Sequence, residues 1–399
     1  MPQNEASWND RTLLWLSIAA FASMASMRFC DAMLPALAED FSTTPGQAAL
    51  VISAFAIAYG ALQIFYGPVG DRHGKFKVVA AATLACTVGS AAAAISPSLD
   101  WLGASRALSG ATAAGIIPLT MAWIGDNVPY TRRQEILAKL LTATVSGMIA
   151  GQWLGGLIAD TLGWRTGFAI LAALFAIASG LMYMELHKNK AQPQAEPPTT
   201  TGTATSRMLS VLRVPWARRI LFITMIEGAV AYSAVSFVPN HLHRQFGLSM
   251  GSAGAVLALF GVGGLLYSRL AKKLVLRLGE AGLACLGGCL LAMAFGLLAW
   301  MPVWQWALPA CLLGGFSFYC LHNTLQTQAT QMVQAARGTA VSLFACFLFL
   351  GQSAGVFAAS LVIDAYSAIP VFIAAAVCIL VLGIGFALLL RKGHGARRA

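Results

Sequence analysis

Polar positions along this chain are few and clustered, and long apolar stretches fill the intervals. Twelve apolar runs stand out, near 13–35, 47–66, 78–96, 101–124, 136–159, 165–186, 218–240, 250–270, 280–300, 304–330, 339–362 and 369–390. About 20 consecutive apolar residues cross a bilayer as a helix. The pattern therefore predicts an all-α membrane protein with twelve transmembrane helices. Several runs contain Pro or Gly, which membrane helices tolerate. The first run follows the polar stretch MPQNEASWND and has no small-residue cleavage site before Asp31. It is expected to be a membrane helix, not a cleaved leader. Between the sixth and seventh runs, residues 187–217 are rich in Pro, Thr and Ala. That composition predicts a flexible linker. It would join one six-helix bundle, residues 1–186, to a second, residues 218–399.

The two halves carry matching marks. GQWLG at 151–155 in the fifth run faces GQSAG at 351–355 in the eleventh. The first and seventh runs end near Pro35 and Pro239, and Gly74 and Gly279 follow at spacings of 39 and 40. These coincidences predict an internal repeat and two pseudo-symmetric bundles. Repeats of this kind typify secondary transporters, whose substrate sites lie near the midplane between them.

Composition agrees. The chain is 58% hydrophobic, against roughly 45–50% in a soluble domain, and its mean hydropathy is +0.71. The formal charge of +11 could suggest a nucleic-acid partner, but its distribution argues for topology instead. With the N-terminus in the cytoplasm, 22 of the 26 Lys and Arg residues fall on the inner side. Only Arg165 and Arg244 fall outside, and Arg28 and Arg106 lie within runs. This satisfies the positive-inside rule and puts both termini in the cytoplasm of a bacterial-type inner membrane. The eight cysteines all lie in apolar runs and read as packing residues.

The densest polar cluster is GPVGDRHGKFK at 67–77, between the second and third runs. Its glycines permit a tight turn. In this position it resembles the signature of the major facilitator superfamily, roughly G-x-L-a-D-R-x-G-R-K-x-x-L. Gly67, Gly70, Asp71, Arg72, Gly74 and Lys75 match; Val69 replaces Leu, and Phe76 takes a usually basic place. The fourth run carries Arg106 and Gly110 of an R-x-x-Q-G pattern, with Ser109 for Gln. In the fifth run Gly147, Gly151, Gly155 and Gly156 resemble the proton-driven drug antiporter motif G-x-x-x-G-P-x-x-G-G, with Gln152 for Pro. The chain is most similar to the twelve-helix drug and sugar efflux members.

The resemblance implies a latch. Asp71, near the start of the eleventh helix, and Asp126, at the end of the fourth, would hold the halves together while the outer side is open. It also implies that helix 5 packs on helix 8, and helix 2 on helix 11, across the halves. Gly147, Gly151 and Gly155 lie four apart and make one smooth face. With Gln152, Gly156, Gly351, Gln352 and Gly355, they are expected to form a rocking interface between the halves.

Charges deep in a membrane cost about 2.5–3.5 kcal/mol on insertion scales, so they are functional candidates. Arg28 and Asp31 are three apart and can pair. Arg106 lies at similar depth, which predicts an Arg28–Asp31–Arg106 cluster. Glu227 in the seventh run and His322 in the tenth are proton-carrier candidates. Asn323 and Gln326 extend a polar stripe from His322. The sequence holds no H-E-x-x-H and no Walker loop, and its G-x-S-x-G matches, GLSMG at 247–251 and GQSAG at 351–355, lie beside and inside apolar runs, not at a strand-to-helix turn. This argues against an enzyme or an ATP-driven pump, and no cofactor or metal is expected. The expected activity is secondary transport of a small organic solute by a single chain, most simply proton-coupled efflux. The alternative is an importer or exchanger of an anionic metabolite, which two membrane arginines could bind. A passive pore belongs to another class and would show no counterflow. Cysteine labels at Thr200 and Gly395 should react only from the cytoplasmic side, and labels at Thr43 and Ser249 only from outside. Opposite sidedness for either pair would exclude the twelve-run topology.

Overall fold

A computed structural model describes residues 10–188, 204–333 and 336–395. Lipid offers no hydrogen-bond partners, so a segment this apolar keeps its backbone bonds internal by forming helix. Among the described residues every long element is helical: α1 (Asp10–Arg28), α2 (Leu34–Asp40), α3 (Pro45–Ala48), α4 (Leu50–His73), α5 (Lys75–Ala94), α6 (Leu99–Ala113), α7 (Ile116–Asn127), α8 (Tyr130–Thr161), α9 (Trp164–Lys188), α10 (Ala204–Arg213), α11 (Pro215–Val235), α12 (Val238–Phe246), α13 (Met250–Trp300), α14 (Ala307–Gln331), α15 (Arg337–Ala365) and α16 (Ala368–Gly395). A 3-10 turn, Trp304–Trp306, precedes α14.

Nine helical stretches among these residues are long and apolar enough to cross a membrane. One of them, α13, is a hairpin: Gly279 takes φ 63° and ψ 179° and reverses the chain. Gly74 does the same between α4 and α5 at φ 89°. Both positions need the left-handed region that glycine enters freely. The cluster at 67–77 is therefore not the loop that its glycines predicted. The α4 helix runs on through Asp71 and Arg72 to His73, and Gly74 alone makes the turn. Nor is the expected linker wholly flexible. Its residues 204–213 form α10, whose Val211 is fully buried, with Met208 and Leu212 packed beside it on the core. Thr200 lies outside the described residues.

Three rods break at mid-course, between α1 and α2, α6 and α7, and α11 and α12. Pro35 and Pro239 sit in the first turns of α2 and α12, where a missing N–H costs nothing. The chain thus reverses between a basic end, which holds Gly74, Gly279 and α10, and a far end, which holds the turns near 42, 96, 163, 248 and 366.

Matching contacts recur at a near-constant interval. A Cβ at Gly110 would collide with the carbonyl of Phe55, and one at Gly315 with that of Phe260, each residue 205 positions after its counterpart. Gly147 and Gly151 of α8 abut the carbonyls of Phe21 and Ala25 in α1. Gly351 and Gly355 of α15 abut those of Met225 and Ala229 in α11, now 204 positions on. The structural register therefore pairs Gly147 with Gly351 and Gly151 with Gly355. It lies one helical turn from the GQWLG–GQSAG alignment.

The same contacts correct the expected rocking face. Gly147, Gly151 and Gly155 turn to α1 in their own half, and Gly351 and Gly355 turn to α11 in theirs. Close helix approach needs small residues on one side only, and across the halves the small residues come mainly from α13. Gly254 meets the Gln152 carbonyl, Gly261 meets Ile149, and only Gly156 of α8 faces the start of α13, at Met250. Helices α4 and α15 meet through reciprocal bonds, Ser53 Oγ to the Ser353 carbonyl at 3.4 Å and Ser353 Oγ to the Ser53 carbonyl at 3.0 Å. Gln352 is buried, and its Oε1 has no partner among the described residues.

Gly315→Ala and Gly110→Ala should each destabilise the protein by about 1–3 kcal/mol through overpacking against backbone. Gly67→Ala, with open space around it, should be neutral or slightly stabilising. Thermal unfolding in detergent, compared for the three variants, checks this.

Candidate functional site

At the basic end, Lys75 opens α5 and bridges two acids. Its Nζ lies 3.1 Å from Asp71 Oδ1 and 2.5 Å from Asp126 Oδ2. All three belong to the first half, so the bridge ties α4, α5 and α7 to one another. The described contacts of Asp71 do not include the start of α15, where the latch was expected. Arg72 is exposed, Gly67 has open space, and Gly70 packs against Leu119.

In the centre of the first half, the expected three-charge cluster divides. Arg28 closes α1 and Asp31 lies in the break that follows, so they do not share a continuous helix. The break still leaves Arg28 Nη1 3.7 Å from Asp31 Oδ2. Arg106 of α6 does not join them. Its Nη2 donates to the Ser26 carbonyl at 2.8 Å, its Nη1 to Ser26 Oγ at 3.1 Å and its Nε to the Val51 carbonyl at 3.4 Å. Its guanidinium also lies 4.3 Å from the Phe55 ring centroid. Arg106 is 1% exposed and serves as a staple between α1, α4 and α6. Arg28 instead reaches the other half, with its guanidinium 4.2 Å over the Tyr232 ring of α11. Sequence reasoning did not pick out Tyr232. The repeat held the signal, since Tyr232 stands 204 positions after Arg28.

In the second half, Glu227 and His322 come together. His322 Nδ1 lies 3.0 Å from Glu227 Oε2, joining α11 to α14. Glu227 has no exposed surface and the His322 side chain only 12%. The imidazole stacks on Phe318 at 5.1 Å and tilts against Phe344 at 5.4 Å, which fixes its plane. The polar stripe does not continue as expected: Asn323 is half-buried and Gln326 is exposed. Several atoms at this level have no hydrogen-bond partner among the described residues. They are Arg28 Nη1, both carboxylate oxygens of Asp31 and Glu227 Oε1. A buried polar atom left unpaired is costly, so these atoms mark spare capacity for a proton or a solute.

The sequence profile of the Major Facilitator Superfamily matches residues 16–355. The chain belongs to the major facilitator superfamily. It is an integral membrane transporter, not an enzyme. The MFS-type transporter YwfA of Bacillus subtilis is 28% identical over 312 residues, 73% of each chain. The multi-drug resistance efflux pump PmrA of Streptococcus pneumoniae is 26% identical over 283 residues, 70% of this chain and 67% of its own. A crystal structure of a variant of the nucleoside transporter NupG matches with a TM-score of 0.80 at 15% identity, covering 94% of this chain and 98% of that one. A bacterial homologue of the lysosomal transporter Spinster, solved inward-facing and unoccupied, matches with a TM-score of 0.78 at 16% identity, over 98% and 97% of the two chains.

If Arg106 is a staple, Arg106→Gln should lower stability by at least about 2 kcal/mol, since it removes charge-assisted bonds to buried acceptors. Thermal unfolding measures this. A variant of parental stability that no longer transports would instead place Arg106 in the transport chemistry.

Proposed function

We propose that this transporter exports a small organic solute by alternating access, driven by protons entering against it. The observation that carries the proton part is the buried Glu227–His322 pair. A carboxylate and an imidazole in contact, walled by Phe318 and Phe344 and free of other cations in the contacts described, make a site that can take up and release one proton. The unpartnered Glu227 Oε1 leaves room to accept it. Rocking of one half against the other would change which side the pair can exchange its proton with, which is what links a proton to a change of shape. Export is favoured because similar proteins include a pump named for multidrug efflux. The anionic-metabolite reading loses ground, because the donors of Arg106 are occupied by Ser26 and Val51.

In this reading the chain makes twelve traverses: the hairpin α13 counts as two, and α1–α2 and α14 are added to the other apolar helices. The basic end faces the cytoplasm of a bacterial-type plasma membrane, and both termini lie there. The division into residues 1–186, a linker and residues 218–399 gives two bodies that rock about the α8–α13 and α4–α15 contacts, and a single chain suffices for the cycle.

Ethidium serves as a first probe in proteoliposomes. Glu227→Gln should abolish accumulation driven by an imposed pH gradient while counterflow persists, because exchange need not move a proton. His322→Asn should behave alike. Asp31→Asn should impair both assays, since it leaves Arg28 buried without its counter-charge. Normal pH-driven accumulation by Glu227→Gln would remove Glu227 as the coupling site.

A further inference from the structure

The far end holds a feature that neither the repeat marks nor the family motif singled out. Asp160, at the end of α8 in the first half, accepts two backbone bonds from the start of α13 in the second: Gly251 N–H at 2.6 Å and Met250 N–H at 3.1 Å. Asp364, at the end of α15 in the second half, reaches the start of α3 in the first. It accepts from Gly46 N–H at 2.9 Å and from the Thr44 hydroxyl at 2.6 Å. The two aspartates stand 204 positions apart, and the two glycines 205. The locks are therefore one device built twice, each half gripping the other.

The differences between the copies are informative. The position matching Met250 is Pro45, which has no N–H to give. There the Thr44 hydroxyl supplies the second donor, while its oxygen accepts from Gln47 N–H at 3.1 Å. Its counterpart Ser249 caps Ser252 N–H at the same distance but makes no described bond to Asp160. Each carboxylate thus receives two donors across the halves, although the donors differ in kind. The small residue at each contact is also required. A Cβ at Gly46 would collide with the Asp364 carboxylate, and one at Gly251 would stand 3.2 Å from Asp160 Oδ2 and 3.0 Å from the Leu157 Cα.

Every inter-half hydrogen bond described above lies toward the far end: these two locks and the Ser53–Ser353 exchange. At the basic end the Lys75 bridge stays within one half. We infer that Asp160 and Asp364 are paired gating residues, which hold the far end shut in the basic-end-open state and release it once per transport cycle. This rests on the alternating-access reading. Exposure suits both carboxylates to the task. A buried carboxylate stripped of its donors would be stranded at high cost. An exposed one exchanges N–H donors for water at a small net cost, so the gate can open every cycle. Asp160, at the C-terminal end of α8, also faces the N-terminus of α13, where negative charge is favoured only while that helix end is near.

The test places bioorthogonal spin labels at Leu162 and Tyr366, exposed far-end positions of the first and second half, and measures their distance distribution in nanodiscs. Asp160→Ala and Asp364→Ala should each raise the longer-distance, far-end-open population roughly fivefold over the parent, and the double variant roughly twenty-five-fold. Asn at either position keeps an acceptor oxygen and should restore part of the parental distribution, which a general loss of stability would not. Gly46→Ala leaves every charge in place, pushes Asp364 off its donors and should match Asp364→Ala. It also serves should the aspartate variants fold poorly. A double variant and a Gly46→Ala protein that both keep the parental distribution would overturn the inference. Ethidium counterflow by the unsubstituted protein is read separately. Its presence with unchanged distances removes the locks and leaves the transport reading. Its absence with shifted distances removes that reading and leaves two locks that set far-end closure.

Discussion

Hydrocarbon supplies no hydrogen-bond partner, and the rest of this structure follows from that constraint. Each apolar run must keep its backbone bonds internal, so each becomes a helix, and any break must be repaired from within the protein. The break after α1 shows the repair. The Ser26 carbonyl, two residues before the end of α1 at Arg28, takes its bond from Arg106 of α6. A buried arginine that looks from the sequence like a solute ligand satisfies the backbone where a membrane helix bends, and the bend still leaves Arg28 beside Asp31 and over the Tyr232 ring.

Because all surfaces in the slab are apolar, burial of oil cannot tell one helix which neighbour to choose, and shape must do so. Glycine set against a neighbour's carbonyl is the recurring answer: Gly110 on Phe55, Gly315 on Phe260, Gly147 and Gly151 on α1, Gly351 and Gly355 on α11. These contacts lie within the halves and make each half a firm body. Between the halves the small residues come mainly from α13, with Gly254 set against the Gln152 carbonyl and Gly261 against Ile149 of α8, and the inter-half hydrogen bonds described above lie toward the far end. Two bodies that meet along such a seam suit a rocking motion.

Much of this was legible in the sequence. The apolar runs marked the helices; but Pro35 and Pro239, read as the ends of runs, stand past breaks inside the rods, and Gly74 and Gly279, read as marks of a repeat, each make a chain reversal alone, which no local pattern announced. The repeat was legible in outline but not in register, because GQWLG and GQSAG align better as letters than as contacts. Glycine spacing showed that α8 has a smooth face but could not show which neighbour fills it. The approach of Glu227 to His322 is a long-range fact, 95 residues apart, and no local pattern carries it. The far-end aspartates were missed for a simpler reason: they lie just past the ends of the apolar runs, where an acid looks like ordinary solvated surface.

Arg28 and Tyr232 occupy equivalent places in the two halves and meet face to face, which makes the centre of the molecule unlike its frame. A perfectly duplicated centre would receive a solute equally well in two poses related by a half-turn. A solute that entered between this guanidinium and this phenol would meet a cation on one side and an aromatic face on the other, and the two poses would no longer be degenerate. The duplicated scaffold thus frames a handed centre, with a cation of the first half set against a ring of the second.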